Sequence, residues 1–229
     1  MMVPKASLPL LFSTPISKGM DLALEPTSER QVFKLVLLGS TDVGKSSLVL
    51  RYIRDDFRET VSTTGCAFFS QRVYLQGKSL DFEIWDTAGQ ERYHSVCHLY
   101  YRGASAALLV YDISSKETFT RAQLWLQELQ KYVLSGEMVI ALVGNKSDLQ
   151  DDRKVSAEDA KAFAEQKRLL FMETSAKTGH GVKEVFQAIA SELLTLEQQK
   201  EDKRHRRDSH ITLGETHGPG VRQRCCDFQ

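Results

Sequence analysis

Gly39-Ser40-Thr41-Asp42-Val43-Gly44-Lys45-Ser46 fits the spacing G-x-x-x-x-G-K-[ST]. The apolar run Val32-Phe33-Lys34-Leu35-Val36-Leu37-Leu38 precedes it, and Ser47-Leu48-Val49-Leu50 follows. This context predicts a strand, a tight glycine-rich turn and a helix. Such a turn aims several backbone N–H groups at one point, and the helix dipole adds positive potential there. The combination suits polyphosphate. Lys45 can reach the outer phosphates, and the Ser46 hydroxyl can ligate Mg2+. A chance glycine-rich turn is the bland alternative, and the flanking strand and helix speak against it.

A phosphate loop does not say which base is held. Asn145-Lys146-Ser147-Asp148 does, at the end of the apolar run Met138-Val139-Ile140-Ala141-Leu142-Val143-Gly144. A carboxylate at Asp148 can accept from guanine's ring N–H and its exocyclic amine. Adenine presents no such donor pair, and a carboxylate left unpaired in a closed site costs several kcal/mol. A surface turn is the plain alternative for this tetrapeptide alone. Its place after a strand, downstream of the phosphate loop, favours the base-binding reading.

Two more segments complete a set of four. Asp86-Thr87-Ala88-Gly89-Gln90 follows the alternating strand Leu80-Asp81-Phe82-Glu83-Ile84-Trp85. Asp86 can hold Mg2+ through a water, the Gly89 N–H can approach a γ-phosphate, and Gln90 can orient a water. Glu173-Thr174-Ser175-Ala176-Lys177 follows Leu169-Leu170-Phe171-Met172, and its backbone amides, with Ser175, Ala176 and Lys177 at the centre, can cap the guanine carbonyl oxygen.

With these four motifs in order, the sequence resembles the Ras superfamily of small GTPases, and within it the Rab branch. The Rab marks are Ile84-Trp85-Asp86-Thr87-Ala88-Gly89-Gln90-Glu91-Arg92-Tyr93, Tyr100-Tyr101-Arg102-Gly103-Ala104, and the terminal pair Cys225-Cys226. Ala67 and Glu91-Arg92-Tyr93-His94-Ser95 look like the endocytic Rabs. The resemblance covers about residues 31–198 plus the C-terminus. It implies an α/β P-loop fold with a mostly parallel sheet, one antiparallel edge strand and helices on both faces. It implies binding of GTP and GDP with Mg2+, and slow hydrolysis of GTP that an activating protein accelerates. An exchange factor, effectors, a GDP-dissociation inhibitor and a prenylation escort are the further partners it implies. The implied location is the cytoplasmic face of intracellular membranes, endosomal or plasma membrane, with a cytosolic pool.

Family members also place an aromatic over the base and ribose, which Phe57 fits, and a threonine that meets Mg2+ when the γ-phosphate is present. Ser62-Thr63-Thr64-Gly65-Cys66-Ala67-Phe68 resembles the family's S-T-I-G-x-x-F and makes Thr63 the ligand. Counting from Phe57 points to Thr64 instead, because the loop is one residue shorter than usual. The following Gly and Phe favour Thr63, and both registers stay open. Thr41 and Asp42 occupy loop positions where the family often has small residues, and Asp42 brings a negative charge near the phosphates. A module with the same fold that binds nucleotide but hardly cycles is therefore a rival reading. A P-loop small-molecule kinase is another, with no evident second-substrate segment to support it. His94 and His98 read as surface or partner-contact residues rather than catalytic ones.

At 229 residues the chain suits one domain with tails. Acidic and basic residues balance at 30 each, so no global field draws it to nucleic acid or to a membrane. Its four cysteines, Cys66, Cys97, Cys225 and Cys226, show no metal-ligand spacing and read as reduced thiols. No apolar run approaches the length of a membrane span. Leu8-Pro9-Leu10-Leu11-Phe12 is too short for a signal core, and Met at position 2 gives no myristoylation signal.

Residues 1–30 carry Pro4, Pro9, Pro15 and Pro26 and read as a mobile leader. Residues 31–198 alternate strand-like and helix-like segments, the mark of an α/β sheet. Gln76-Gly77-Lys78 reads as a hairpin turn. Phe119, Ala122, Leu126, Leu129 and Val133 recur at helical spacing, as do Val182, Val185, Phe186, Ile189 and Leu193, and both stripes read as core. From 199 to 229 the chain reads as a flexible, basic tail. Cys225 and Cys226 close it as prenylation sites, with two lipids favoured over a C-a-a-X box because Asp227 sits where that box prefers an aliphatic residue.

Overall fold

The computed structural model describes residues 31–58, 63, 65–89, 100–132 and 138–211. A six-stranded sheet runs in the order β2-β3-β1-β4-β5-β6. The strands are β1 Gln31–Leu38, β2 Cys66–Leu75, β3 Lys78–Thr87, β4 Ala106–Asp112, β5 Val139–Asn145 and β6 Leu170–Glu173. β2 pairs antiparallel to β3 at one edge, and every other pairing is parallel. Parallel strands need both faces covered, and these read accordingly. In β1, Phe33, Leu35 and Leu37 enter one core layer while Val36 and Leu38 enter the other.

Helices α1 Lys45–Arg54 and α4 Val182–Ile211 cover the first face. Their Leu48, Val49, Val185, Phe186 and Ile189 pack there, and Tyr52 stacks on Phe186 with ring centroids 3.8 Å apart. Helices α2 Lys116–Tyr132 and α3 Ala157–Lys167 cover the second face through Ala122, Leu126, Leu129, Ala160 and Ala164. The two predicted helical stripes are thus core, except that Val133 lies outside the described residues. Helix α3 starts at Ser156, whose hydroxyl accepts from the Asp159 N–H at 3.0 Å.

The hairpin between β2 and β3 has a two-residue loop, Gln76 and Gly77, at φ 52° and 75°. Both values are positive, as a tight turn matching the strand twist requires. Helix α4 continues past the predicted domain end at 198 and reaches Ile211. Polar composition hides this extension; an i,i+3 ion pair between Glu197 and Lys200 at 2.9 Å spans its start. The leader, the last residues and both terminal cysteines lie outside the described residues.

Register decides where the loops go. Leu37 stands level with Asp86, Asp112 with Asn145, and Gly144 with Glu173. The carboxyl ends of β1, β3, β4, β5 and β6 therefore form one rim. Strand order reverses around β1, and ligands in open α/β sheets bind outside the strand ends at such a point.

Candidate functional site

A cavity of about 480 Å3 opens on that rim. Thr41, Asp42, Gly44, Lys45, Ser46 and Ser47 line one end, and Asn145, Lys146, Asp148, Leu149, Ala176 and Lys177 the other. Phe57, Arg58, Thr63 and Gly89 complete the wall. Four sequence motifs that span 139 positions, Gly39 to Lys177, thus share one concave surface. Gln90 and Thr64 lie outside the described residues.

The glycine-rich loop is shaped by backbone demands. Gly44 precedes α1 at φ 92°, and Asp42 stands at φ 61°. Asp is among the few side chains that tolerate this left-handed conformation. The Asp42 side chain is exposed. The Val43 side chain is fully buried, and this residue is not part of the cavity lining. Lys45 is 6% exposed, and its Nζ donates to the carbonyls of Gly39 at 2.9 Å and Ser40 at 2.8 Å. An ammonium is thereby held at the loop mouth. Gly89 abuts the same loop, where a Cβ would come within 2.3 Å of the Thr41 nitrogen.

Next to the lysine, oxygen atoms converge. The Ser46 hydroxyl lies 2.7 Å from the Thr63 hydroxyl and donates to Asp86 Oδ2 in a short contact. Asp86 Oδ1 is buried and has no hydrogen-bond partner. Burial raises the Asp86 carboxyl above its usual range, against the Ser46 hydrogen bond and the Lys45 charge. Two hydroxyls and a carboxylate with an orphaned oxygen form a hard donor set that fits Mg2+.

The other end is a web of long-range hydrogen bonds. Asn145 is buried at the cavity wall. Its amide donates to the Val43 carbonyl at 2.8 Å, and its oxygen accepts from the Thr174 hydroxyl and the Ala176 N–H, both at 3.2 Å. Asn145 therefore laces the phosphate loop to the 174–176 loop. Buried Ser175 donates its hydroxyl to Asp148 Oδ1 at 2.5 Å and accepts from the Thr178 N–H, which fixes the carboxylate's orientation. Lys146, at φ 64°, extends to Asp112 at 2.7 Å. Burial alone would raise the Asp112 carboxyl; hydrogen bonds from Lys146 and Ser114 outweigh it and hold it below the usual range.

Sequence reading missed Asp112 and Ser114, which hold Lys146, and the Arg153–Glu173 pair that anchors the last motif. Arg153 Nη1 and Nη2 reach the two Glu173 oxygens at 2.6 and 2.8 Å. It also missed Arg51 on α1, which donates to the Ala176 and Lys177 carbonyls. Glu173 opens the last motif, but Arg51, Asp112, Ser114 and Arg153 belong to none of the four, so no local signal marks them.

The Ras family model matches residues 34–195. The chain is 53% identical over 199 residues to the human "Ras-related protein Rab-17", covering 87% of this chain and 92% of that protein. It is 50% identical over 208 residues to the mouse "Ras-related protein Rab-17", with 91% and 96% covered. The cavity, the ordered motifs and these similarities agree: the chain belongs to the Ras family, as a Rab small GTPase of vesicle trafficking.

Proposed function

We propose that GTP and GDP bind in this cavity with phosphates at Gly39–Ser47 and guanine between Asp148 and Ala176–Lys177. The observation that carries this reading is the convergence of Lys45, the Ser46–Thr63–Asp86 oxygens and the Ser175-oriented Asp148 on one surface. Lys45 and the loop N–H groups stabilise charge on the transferring phosphoryl group, where electrostatic stabilisation dominates this chemistry. Ser46, Thr63 and Asp86 hold Mg2+, which supplies neutralising charge to the phosphate oxygens when bound. Gln90 orients the attacking water, and Phe57 covers the base. Asn145 acts through the loops it laces, Lys146 lies along the base, and Gly89 meets the γ-phosphate through its N–H.

The test is competition and single turnover. GTP should displace GDP where ATP fails, and GTP should be hydrolysed at about 10⁻⁴–10⁻³ per second without a partner. ATP competing as well as GTP would overturn the base assignment. Binding without any turnover would favour the rival in which the Asp42 charge leaves a module that hardly cycles.

Thr63 is the proposed γ-phosphate-dependent Mg2+ ligand because its hydroxyl already adjoins Ser46. Thr63→Ala should weaken effector binding in the GTP state about tenfold and spare GDP binding, the loss of one metal-linked contact. If Thr64→Ala alone does so, the register shifts by one.

Cys225 and Cys226 both carry prenyl groups in this proposal, and the anchored protein works on endosomal or plasma membrane with a cytosolic pool. One chain gives only marginal membrane residence, whereas two give stable anchoring. The stretch 203–224 carries six Lys/Arg against Asp208 and Glu215, a net of four positive charges worth ~1 kcal/mol each near an anionic leaflet. The double Cys→Ser variant should be cytosolic, and mass spectrometry of the membrane-bound protein should show both cysteines modified. Full membrane retention of the double variant would overturn this. An exchange factor, an activating protein, effectors, a GDP-dissociation inhibitor and a prenylation escort complete the cycle.

A further inference from the structure

We propose that Arg51 is a positioning residue for guanine: it sets the Ala176–Lys177 peptide that meets the base's carbonyl oxygen. This rests on the guanine reading above and adds a residue that none of the four motifs contains. Arg51 lies on α1, 125 positions before Ala176. Its side chain is 16% exposed, and its guanidinium donates to three carbonyls and pairs with the Asp55 carboxylate at 3.4 Å. Nε donates to the Ala176 carbonyl at 2.8 Å, and Nη2 donates to the Lys177 carbonyl at 2.9 Å. Nη1 donates to the Asp55 carbonyl at 2.8 Å, which ties the fork to the end of its own helix.

Peptide geometry turns these bonds into aim. All peptide bonds described are trans, so a carbonyl and the next N–H point in opposite directions. With the Ala176 carbonyl pulled toward α1, the Lys177 N–H points away from α1. Ala176 and Lys177 both line the cavity. The Lys177 N–H donates to no described residue, while the Ala176 N–H is shared with Asn145. Arg51 thus holds a donor toward the position that guanine's carbonyl oxygen occupies when Asp148 takes the ring N–H and the amine. A planar five-donor fork is suited to gripping two carbonyls at once, and a lysine is not.

α1 also begins at the phosphate loop, with Lys45 and Ser46 in its first turn. One helix therefore bears on phosphate at its start and on the base loop near its end.

The test uses the full chain and three diphosphates competing against radiolabelled GDP with Mg2+ present. GDP carries all base contacts. 6-Thio-GDP replaces the carbonyl oxygen with a poor acceptor, and IDP lacks the amine that Asp148 reads. In Arg51→Ala, GDP affinity should fall about tenfold, the scale of one well-aimed hydrogen bond in a closed site. The preference for GDP over 6-thio-GDP should shrink by the same factor. The preference for GDP over IDP should stay as in the wild type. Equal losses for all three diphosphates would make Arg51 a structural residue and overturn the proposal, as would no loss at all. If Arg51→Ala does not fold, Arg51→Lys, which can hold one carbonyl, should show the same pattern at smaller amplitude. A wild-type chain that binds GDP and IDP alike would sink the guanine reading itself.

Discussion

Asp148→Asn should lower GDP affinity by about 10²–10⁴-fold, because two charge-assisted hydrogen bonds at ~1.5–3 kcal/mol each are lost. The substitution also presents a donor where guanine presents donors. Ser175 already orients the carboxylate through a 2.5 Å hydrogen bond, so no rearrangement is needed for it to meet the base. Titration of nucleotide-stripped protein measures the effect. Xanthosine diphosphate, with an oxygen in place of guanine's amine, should bind the variant better than GDP does. Equal GDP affinity in variant and wild type would remove Asp148 from the base site.

Gly39→Ala should be nearly as severe, but on stability. Gly39 adopts φ 149°, and a Cβ there would lie 2.2 Å from the Val110 carbonyl oxygen. That oxygen belongs to β4, in the middle of the sheet, and cannot move without breaking strand pairing. Backbone strain of ~1–3 kcal/mol and overpacking of ~1–3 kcal/mol together predict a loss of about 2–6 kcal/mol. Urea unfolding of the GDP-bound protein reads it as a lower midpoint with an unchanged slope. A midpoint equal to the wild type's would mean that the loop and β4 do not meet as described.

The four motifs were legible because each is contiguous and sits at a strand end. Strand positions followed from apolar runs, and both core stripes followed from helical spacing. Asn145 was legible as a site residue, but its work was not. Its partners at Val43 and Thr174 are 102 and 29 positions away, a separation no local pattern encodes. Arg51 and Asp112 escaped for the same reason. Asp42 read from sequence as an intrusive charge. Its left-handed backbone gives a second reason for an Asp, Asn or Gly at that point. The end of α4 at Ile211 is not legible in the sequence, because apolar periodicity fades where the helix leaves the core. One i,i+3 pair, Glu197–Lys200, spans the point where burial ends.

That unburied extension has a mechanical meaning. Thirty residues in α4 make a rod about 45 Å long, rooted by Phe186 and Ile189 in the core. Between Ile211 and Cys225 there are 14 chain steps, a tether of at most about 50 Å in any conformation. Torque applied at Ile211 would reach the sheet through the rod, whereas a slack chain beginning at 199 would dissipate it. With the proposed anchor at Cys225 and Cys226, α4 would act as a boom, a stiff strut up to Ile211 that sets part of the GTPase domain's standoff.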